Sequence, residues 1–265
     1  MSILNSMQKA IVKKDLRSIT SNKRLMTTLM IVPLVLTLVL PTIFILVMYF
    51  VPDQMNNMDV LLGMLGPEVL QGDTTQVIID LIVNQMMPIF FIIIPIMAAS
   101  VMAASSFVGE KEKSTLETLL YCPLSLRQIF ESKVLASFIM SMAVSLISFV
   151  VMMIVVELEM VLLFGVALVP DLSWAVTMLL VSPAISMIAI SLIVRGSAKA
   201  QSMEESQQGA VFLVLPVIMV VVGQFTGILL ISAWMLLALG VVLAVIAVLF
   251  LKKAFGRFSY EELLQ

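Results

Sequence analysis

The feature that most constrains this chain is its longest uncharged run, in which no Asp, Glu, Lys or Arg occurs from Ala210 to Leu251. As a single helix this run would be about 63 Å long, which is roughly twice the hydrocarbon thickness of a bilayer. It must therefore fold back on itself, and we expect the turn between Gly227 and Ser232. The run predicts two membrane spans, over residues 210–229 and 232–251.

Four further apolar runs are long enough to cross, since a span needs about 20 apolar residues. They cover residues 26–51, 83–107, 132–156 and 173–194. A shorter run, Met160–Val169, lies between acidic residues and is interpreted as an interfacial or re-entrant piece. With 61% hydrophobic and only 12% charged residues, a water-soluble fold could not hide its apolar surface. The chain is predicted to be one all-α integral membrane domain, residues 1–265, with about six spans.

The basic residues predict how the spans are oriented, because cytoplasmic flanks carry an excess of Lys and Arg. If the first span runs outward, all 15 basic residues fall on the inner side. The two sizeable outer loops then contain only acidic charges. We therefore expect a multi-pass protein of the plasma membrane with both termini in the cytoplasm.

The segment before the first span, residues 4–20, has the pattern of an amphipathic helix. One half of the helix carries the apolar residues Leu4, Met7, Ile11, Val12, Leu16 and Ile19, and the other half carries Lys9, Lys13, Lys14 and Arg17. Only Asp15 and Ser18 depart from the pattern. A basic helix of this kind lies in the headgroup plane and meets anionic lipid. Membrane lipid is therefore an expected partner.

The predicted cytoplasmic loop over residues 108–131 contains the most informative motif. Charges alternate in sign after Gly109, and Leu116, Leu119 and Leu120 then form an apolar stripe at helical spacing. Pro123 prevents the helix from continuing. A short helix below the membrane is marginal in water by itself. It therefore needs a partner surface, either on the rest of this chain or on another protein.

The stretch from Gly109 to Lys133 resembles the signature of type 2 ABC transporter permeases. The matching residues are Gly109, Glu110, Lys111, Thr115, Leu116, Glu117, Leu119, Leu120, Pro123 and Ser125. Ser114 departs from the pattern, since glycine is common at that position. The resemblance also extends to the interfacial helix, the six spans and the inward termini.

This resemblance implies a membrane-spanning subunit that works with a separate ATPase, and it implies that the short loop helix couples the two. The residues expected to couple to the ATPase are Glu110, Lys111, Thr115, Leu116, Glu117, Leu119 and Leu120. The sequence contains no G-x-x-x-x-G-K-[ST] motif. We therefore expect no cofactor on this chain, and ATP and Mg²⁺ on the partner.

A second copy of the permease, or a close paralogue, is also implied by the resemblance. Gly223 and Gly227 form a GxxxG pattern, which lets helices approach closely. The resemblance places a dimer contact here, whereas packing within one bundle or a kink would explain the glycines equally well. Gln224 lies beside them and could hydrogen-bond across helices or line a path.

Several other classes of function are excluded or disfavoured. The chain has no histidine, so His-dependent triads and His-based metal sites are excluded. No catalytic residue, metal site or nucleic-acid partner is predicted. The resemblance to type 2 ABC permeases implies an exporter of a hydrophobic or amphiphilic substrate. Two alternatives are a membrane scaffold or immunity protein and a membrane enzyme using outer-loop carboxylates. The candidate carboxylates for such an enzyme are Asp53, Asp59, Asp73 and Asp80.

Overall fold

The fold is a bundle of long apolar helices, shown by a computed structural model that describes residues 5–50, 78–112, 115, 122–197, 200, 202–226, 228–229 and 231–257. Within these residues, six helices are long and apolar enough to cross a membrane. They follow a shorter helix, α1. The bounds are α1 Ser6–Ser21, α2 Lys23–Phe50, α3 Ile78–Glu112, α4 Leu126–Phe164, α5 Leu172–Ser197, α6 Met203–Gln224 and α7 Ala233–Arg257. The prediction of an all-α integral membrane protein with six spans is confirmed.

The helices α3 and α5 form the centre of the bundle and pack against each other. On the remaining sides, α4 contacts both of them, α2 packs on α4, α7 packs on α5, and α6 begins against α3. Most of α3 and α5 is buried, whereas α2, α6 and α7 leave large apolar side chains exposed, among them Phe212, Met219 and Trp234. In a bilayer these outer faces contact lipid or another membrane helix.

The helix α4 extends beyond its predicted span of residues 132–156 in both directions. It runs without interruption from Leu126 to Phe164 and ends where Gly165 adopts a left-handed backbone with φ of 69°. The run Met160–Val169, predicted to be an interfacial or re-entrant piece, is therefore not a separate segment, because its first half is the C-terminal end of α4. The physical reason is that no helix-breaking residue occurs before Gly165.

Two glutamates at this end of α4 are accommodated by hydrogen bonds from other segments. Glu157 accepts the backbone N–H of Leu168, with 2.9 Å between Oε2 and N. Glu159 accepts the hydroxyl of Thr42 on α2, with 2.6 Å between the two oxygens. The sequence pattern suggested that these charged residues end the helix. They do not, because each carboxylate has a hydrogen-bond donor.

Both central helices contain a stretch of wider π-helical turns, Leu81–Met86 in α3 and Thr177–Val181 in α5. Such stretches change the direction of the backbone groups and leave some carbonyls without a regular partner. The carbonyl of Val83 accepts the indole N–H of the buried Trp174 at 3.1 Å. The Trp174 ring also meets Phe91 edge-on, with 5.7 Å between the ring centroids. The irregular part of α3 is thus fixed by α5.

Candidate functional site

A group of charged and polar side chains lies at the end of the bundle where α1, α3 and α4 meet. This ionic cluster consists of Lys14 and Asp15 on α1, Ser106 and Glu110 on α3, and Lys133 on α4. Four of the five residues are buried, and Lys14 alone remains half-exposed at its side chain. Glu110 lies within the predicted coupling loop, residues 108–131, and α3 continues into that loop as far as Glu112.

Lys133 is the centre of the ionic cluster. Its ammonium nitrogen is 3.1 Å from Glu110 Oε1 and 3.7 Å from Asp15 Oδ2, and it donates to the backbone carbonyl of Ser106. The Ser106 hydroxyl donates to Asp15 Oδ2 at 2.6 Å. The Lys133 ammonium also lies 5.6 Å from the centroid of the Phe107 ring. Only 4% of the Lys133 side chain is exposed, so these groups replace the water that its ammonium would otherwise contact.

Lys14 completes the ionic cluster from the outside. It donates to Glu110 Oε1 and lies 3.6 Å from Asp15 Oδ1. Burial by itself would lower the pKa of Lys14, but the hydrogen bond and the charge of Glu110, helped by Asp15, outweigh it. The pKa of Lys14 is therefore raised above its ordinary value, and the cluster holds two cations and two carboxylates.

The ionic cluster has two basic and two acidic side chains, and their ion pairs join α1, α3 and α4. A buried ion is tolerated only when it is paired and hydrogen-bonded, because its desolvation costs several kcal/mol. Glu110 Oε2 is buried without a protein partner among the described residues. Glu110 also lines a cavity of about 220 Å³, together with the polar residues Ser18, Ser105 and Thr115. A cavity of this size and polarity has room for water that can complete the hydrogen bonding of Glu110.

The two ends of the loop after α3 are fixed to the bundle. At its start, the backbone N–H of Thr115 donates to the Glu110 carbonyl at 2.9 Å. At its end, Ser125 caps α4, because its side chain accepts the N–H of Gln128 at 3.3 Å. The Gln128 side chain in turn accepts the Ser125 N–H at 3.0 Å, which completes a capping box. The loop therefore leaves and rejoins the bundle at defined points.

The predicted coupling residues that the structure describes differ in their exposure to solvent. Glu110 is 7% exposed and pairs within the chain, so it is not at the rim of a docking surface. Lys111 and Thr115 are exposed. The remaining four, Leu116, Glu117, Leu119 and Leu120, lie outside the described residues, and their part in coupling stays a prediction.

Gly223, one of the two glycines predicted at a dimer contact, lies near the C-terminal end of α6. A side-chain carbon added at Gly223 would lie 2.8 Å from Leu229 Cδ1 of the same chain. Gly223 therefore has a packing reason within one subunit, whereas Gly227 lies outside the described residues. Gln224 is fully buried and its amide donates to the Gln85 carbonyl on α3 at 3.3 Å. The predicted hydrogen bond across helices is thus present.

The sequence pattern missed most of the ionic cluster, although one signal was visible. Asp15 interrupts the apolar half of α1, and a charge on a buried face requires a partner of opposite charge. In the sequence Lys133 indicates only a cytoplasmic flank, because hydropathy does not reveal which charges near a helix end are buried. The partners Ser106 and Lys133 come from segments far apart in sequence, and their meeting depends on the packing of α3 and α4.

Other chemistry finds little support in the part of the chain that the structure describes. No group of three or more Cys, Asp or Glu side chains there is arranged to hold a metal ion. Of the outer-loop carboxylates considered for an enzyme, Asp80 is exposed and accepts the Asn84 amide at 2.7 Å. The other three, Asp53, Asp59 and Asp73, lie outside the described residues.

Comparison with known proteins gives one finding. Residues 9–233 match a protein family described as ABC-2 family transporter protein. Comparison with curated proteins and with solved structures gave no significant match. The matched segment contains the ionic cluster, the loop after α3 and the first five spanning helices.

Proposed function

Since the match covers well over half of its length, the chain belongs to the ABC-2 family of transporter membrane subunits, and we propose that it exports a hydrophobic or amphiphilic substrate as a dimer. As a member of this family it is a membrane-spanning subunit of an ABC transporter whose ATP hydrolysis takes place on a separate chain. The proposal adds the direction of transport, the class of substrate, the pairing of two permeases and the role of the loop over residues 108–131.

The observation that best supports a coupling role is the fixed geometry at both ends of this loop. Glu110 ties the start of the loop to α1 and α4, and Ser125 begins α4 at its end. A force applied to the loop therefore reaches three helices at once. We propose that the middle of the loop docks on the ATPase and that ATP and Mg²⁺ bind to that partner alone.

The direct test of the functional proposal is the purification of the tagged full-length chain from its native membrane. We expect an ABC ATPase to copurify in a defined ratio and the complex to hydrolyse ATP. As a control, the isolated chain should hydrolyse none, because its sequence lacks a P-loop. ATP-independent turnover by the chain alone would favour a membrane enzyme instead.

The proposed orientation is testable with the single cysteine. Cys122 carries an exposed free thiol in the loop between α3 and α4, which the distribution of basic residues places in the cytoplasm. A membrane-impermeant maleimide added to intact cells should leave Cys122 unlabelled, and it should label the protein after permeabilisation. Efficient labelling of Cys122 in intact cells would show that every span has the opposite orientation.

The proposed dimer contact can be separated from packing within one subunit. Gly227→Leu should weaken crosslinking of the pair by about fivefold or more, the effect of roughly 1 kcal/mol, if close approach of two helices depends on this glycine. Gly223→Leu should mainly disturb the turn with Leu229 and lower the melting temperature. Gly196→Leu is a suitable control, since the space beside Gly196 is open. Unchanged crosslinking in all three variants would place the dimer contact elsewhere.

A further inference from the structure

A groove with a volume of about 530 Å³ lies between α1 and α4, on the side of α1 away from the ionic cluster. Its rim carries Lys9, Lys13 and Arg17 from α1. Its floor is apolar and includes Leu135 and Ile139 from α4. The volume is that of a site for a small organic molecule, and the groove separates a charged edge from an apolar floor.

The three cations form one row, since residues four apart on a helix lie on the same face. All three are exposed, and no ion pair involves any of them among the described residues. The neighbouring acids are already engaged, since Asp15 and Glu110 belong to the ionic cluster. Like charges four residues apart repel each other, so this row is stabilised when an external anion lies over it.

The apolar floor distinguishes the groove from an ordinary solvated basic face. Leu135 and Ile139 are one turn apart on α4, and Ile139 is 42% exposed on a helix that spans the membrane. Leu16 of α1 borders the same floor. An occupant must therefore offer an anionic group to the row and a hydrocarbon chain to the floor.

We propose that this groove is a specific site for one anionic phospholipid from the leaflet that contacts α1. Its phosphate group lies against Lys13 and Arg17, with Lys9 extending the row. One acyl chain lies along Leu135 and Ile139. The lipid joins α1 to α4 on the side of α1 away from the ionic cluster. This inference rests on the proposed placement of α1 in the headgroup plane, and it does not depend on ATP-driven transport or on dimerisation.

The test is native mass spectrometry of the full-length chain titrated with phosphatidylglycerol or with phosphatidylcholine. We expect one phosphatidylglycerol per chain to be retained in preference to phosphatidylcholine. Lys13→Gln with Arg17→Gln should weaken phosphatidylglycerol retention about 25-fold, since each basic residue near an anionic surface contributes about a fivefold change in affinity. Lys252→Gln with Lys253→Gln is the matched control, because it removes two exposed cations from the end of α7.

A second pair of variants tests the apolar floor with all charges intact. Ile139→Trp should fill the groove and reduce phosphatidylglycerol retention severalfold, whereas Ile147→Trp, at a comparably exposed isoleucine of α4, should leave it unchanged. The proposed site would be contradicted if the Lys13/Arg17 pair and the Lys252/Lys253 pair lost phosphatidylglycerol to the same extent. Equal effects of Ile139→Trp and Ile147→Trp on retention would also contradict it. The site would likewise be contradicted if soluble glycerol phosphate displaced bound phosphatidylglycerol as effectively as phosphatidylglycerol itself does.

The melting temperature of each variant without added phosphatidylglycerol separates loss of lipid from loss of fold. The substituted residues are exposed, so we expect these values to stay close to that of the parent chain. Lys9→Gln provides a milder variant of the row, with a smaller loss of retention in the same direction. If phosphatidylglycerol selectivity persists in a chain that recruits no ATPase, the proposed transport function fails and the lipid site stands.

Discussion

Lys133→Met is expected to lower the stability of the permease by about 3–5 kcal/mol, because it leaves two buried carboxylates with a single half-exposed cation. Asp15 and Glu110 both face the Lys133 ammonium, and Ser106 loses the donor to its carbonyl. In detergent this loss corresponds to a fall in melting temperature of about 10 °C for a chain of this size. The measurement is thermal unfolding of the purified chain without any partner.

An exposed ion pair on the same helix provides the control for this prediction. Arg127 pairs with Glu131 at 3.0 Å, but its side chain is 73% exposed. Arg127→Met should therefore cost less than about 1 kcal/mol. Asp15→Asn combined with Lys133→Met should be less harmful than the sum of the single changes, because the two residues share one network. Equal melting temperatures for Lys133→Met and Arg127→Met would show that the ionic cluster does not hold the helices together.

Leu116→Ala combined with Leu119→Ala should reduce recovery of the ATPase about thirtyfold or more, while the permease still inserts in the membrane. Each leucine at a docking hot spot contributes about 1–3 kcal/mol, so the pair contributes at least about 2 kcal/mol. The measurement is the amount of ATPase that copurifies per folded permease. Leu158→Ala with Leu162→Ala removes the same atoms from exposed positions near the other end of α4 and should leave ATPase recovery unchanged.

The competing explanation is that these leucines pack against the ends of the chain's own spans. In that case the double substitution lowers the melting temperature of the isolated permease, and ATPase recovery falls only in proportion to the folded protein. Measuring both quantities on one preparation separates the two explanations. Glu117→Lys adds a second criterion, since a charge at the rim of an interface should weaken docking more at low salt than at high salt.

Glu110 needs a different expectation from the other coupling residues. Its carboxylate pairs with Lys14 and Lys133 and is buried. Glu110→Gln should therefore lower the stability of the isolated permease and leave the salt dependence of docking unchanged. A role for Glu110 in coupling would be to position the start of the loop.

The spans were predictable because the membrane imposes a length and a polarity on each helix. The charge-free run from Ala210 to Leu251 required two spans, and α6 and α7 lie on either side of the predicted turn. Helix ends were less predictable, since a charged side chain can stay on a helix when another segment provides a donor. Thr42 donates such a hydrogen bond to Glu159, and nothing in the sequence indicates that these two residues are in contact.

The loop motif was predictable as a pattern, whereas the surroundings of its residues were not. Glu110 and Lys111 are neighbours of opposite charge in sequence, yet one is buried in the ionic cluster and the other is exposed. The difference follows from the direction in which α3 presents each side chain to α1 and α4. Likewise, the π-helical turns at Leu81–Met86 depend on packing against Trp174, and hydropathy carries no sign of them.

The helix α4 has a mechanical consequence that follows from its composition and length. It contains neither proline nor glycine from Leu126 to Phe164, whereas α2, α3, α5 and α6 each contain proline, at which kinks arise. An unbroken helix of this length, about 58 Å, acts as a stiff lever, and a rotation of about 5° at Ser125 carries Phe164 through about 5 Å. A small angular change at the loop would therefore become a displacement of several ångströms at the other end of α4.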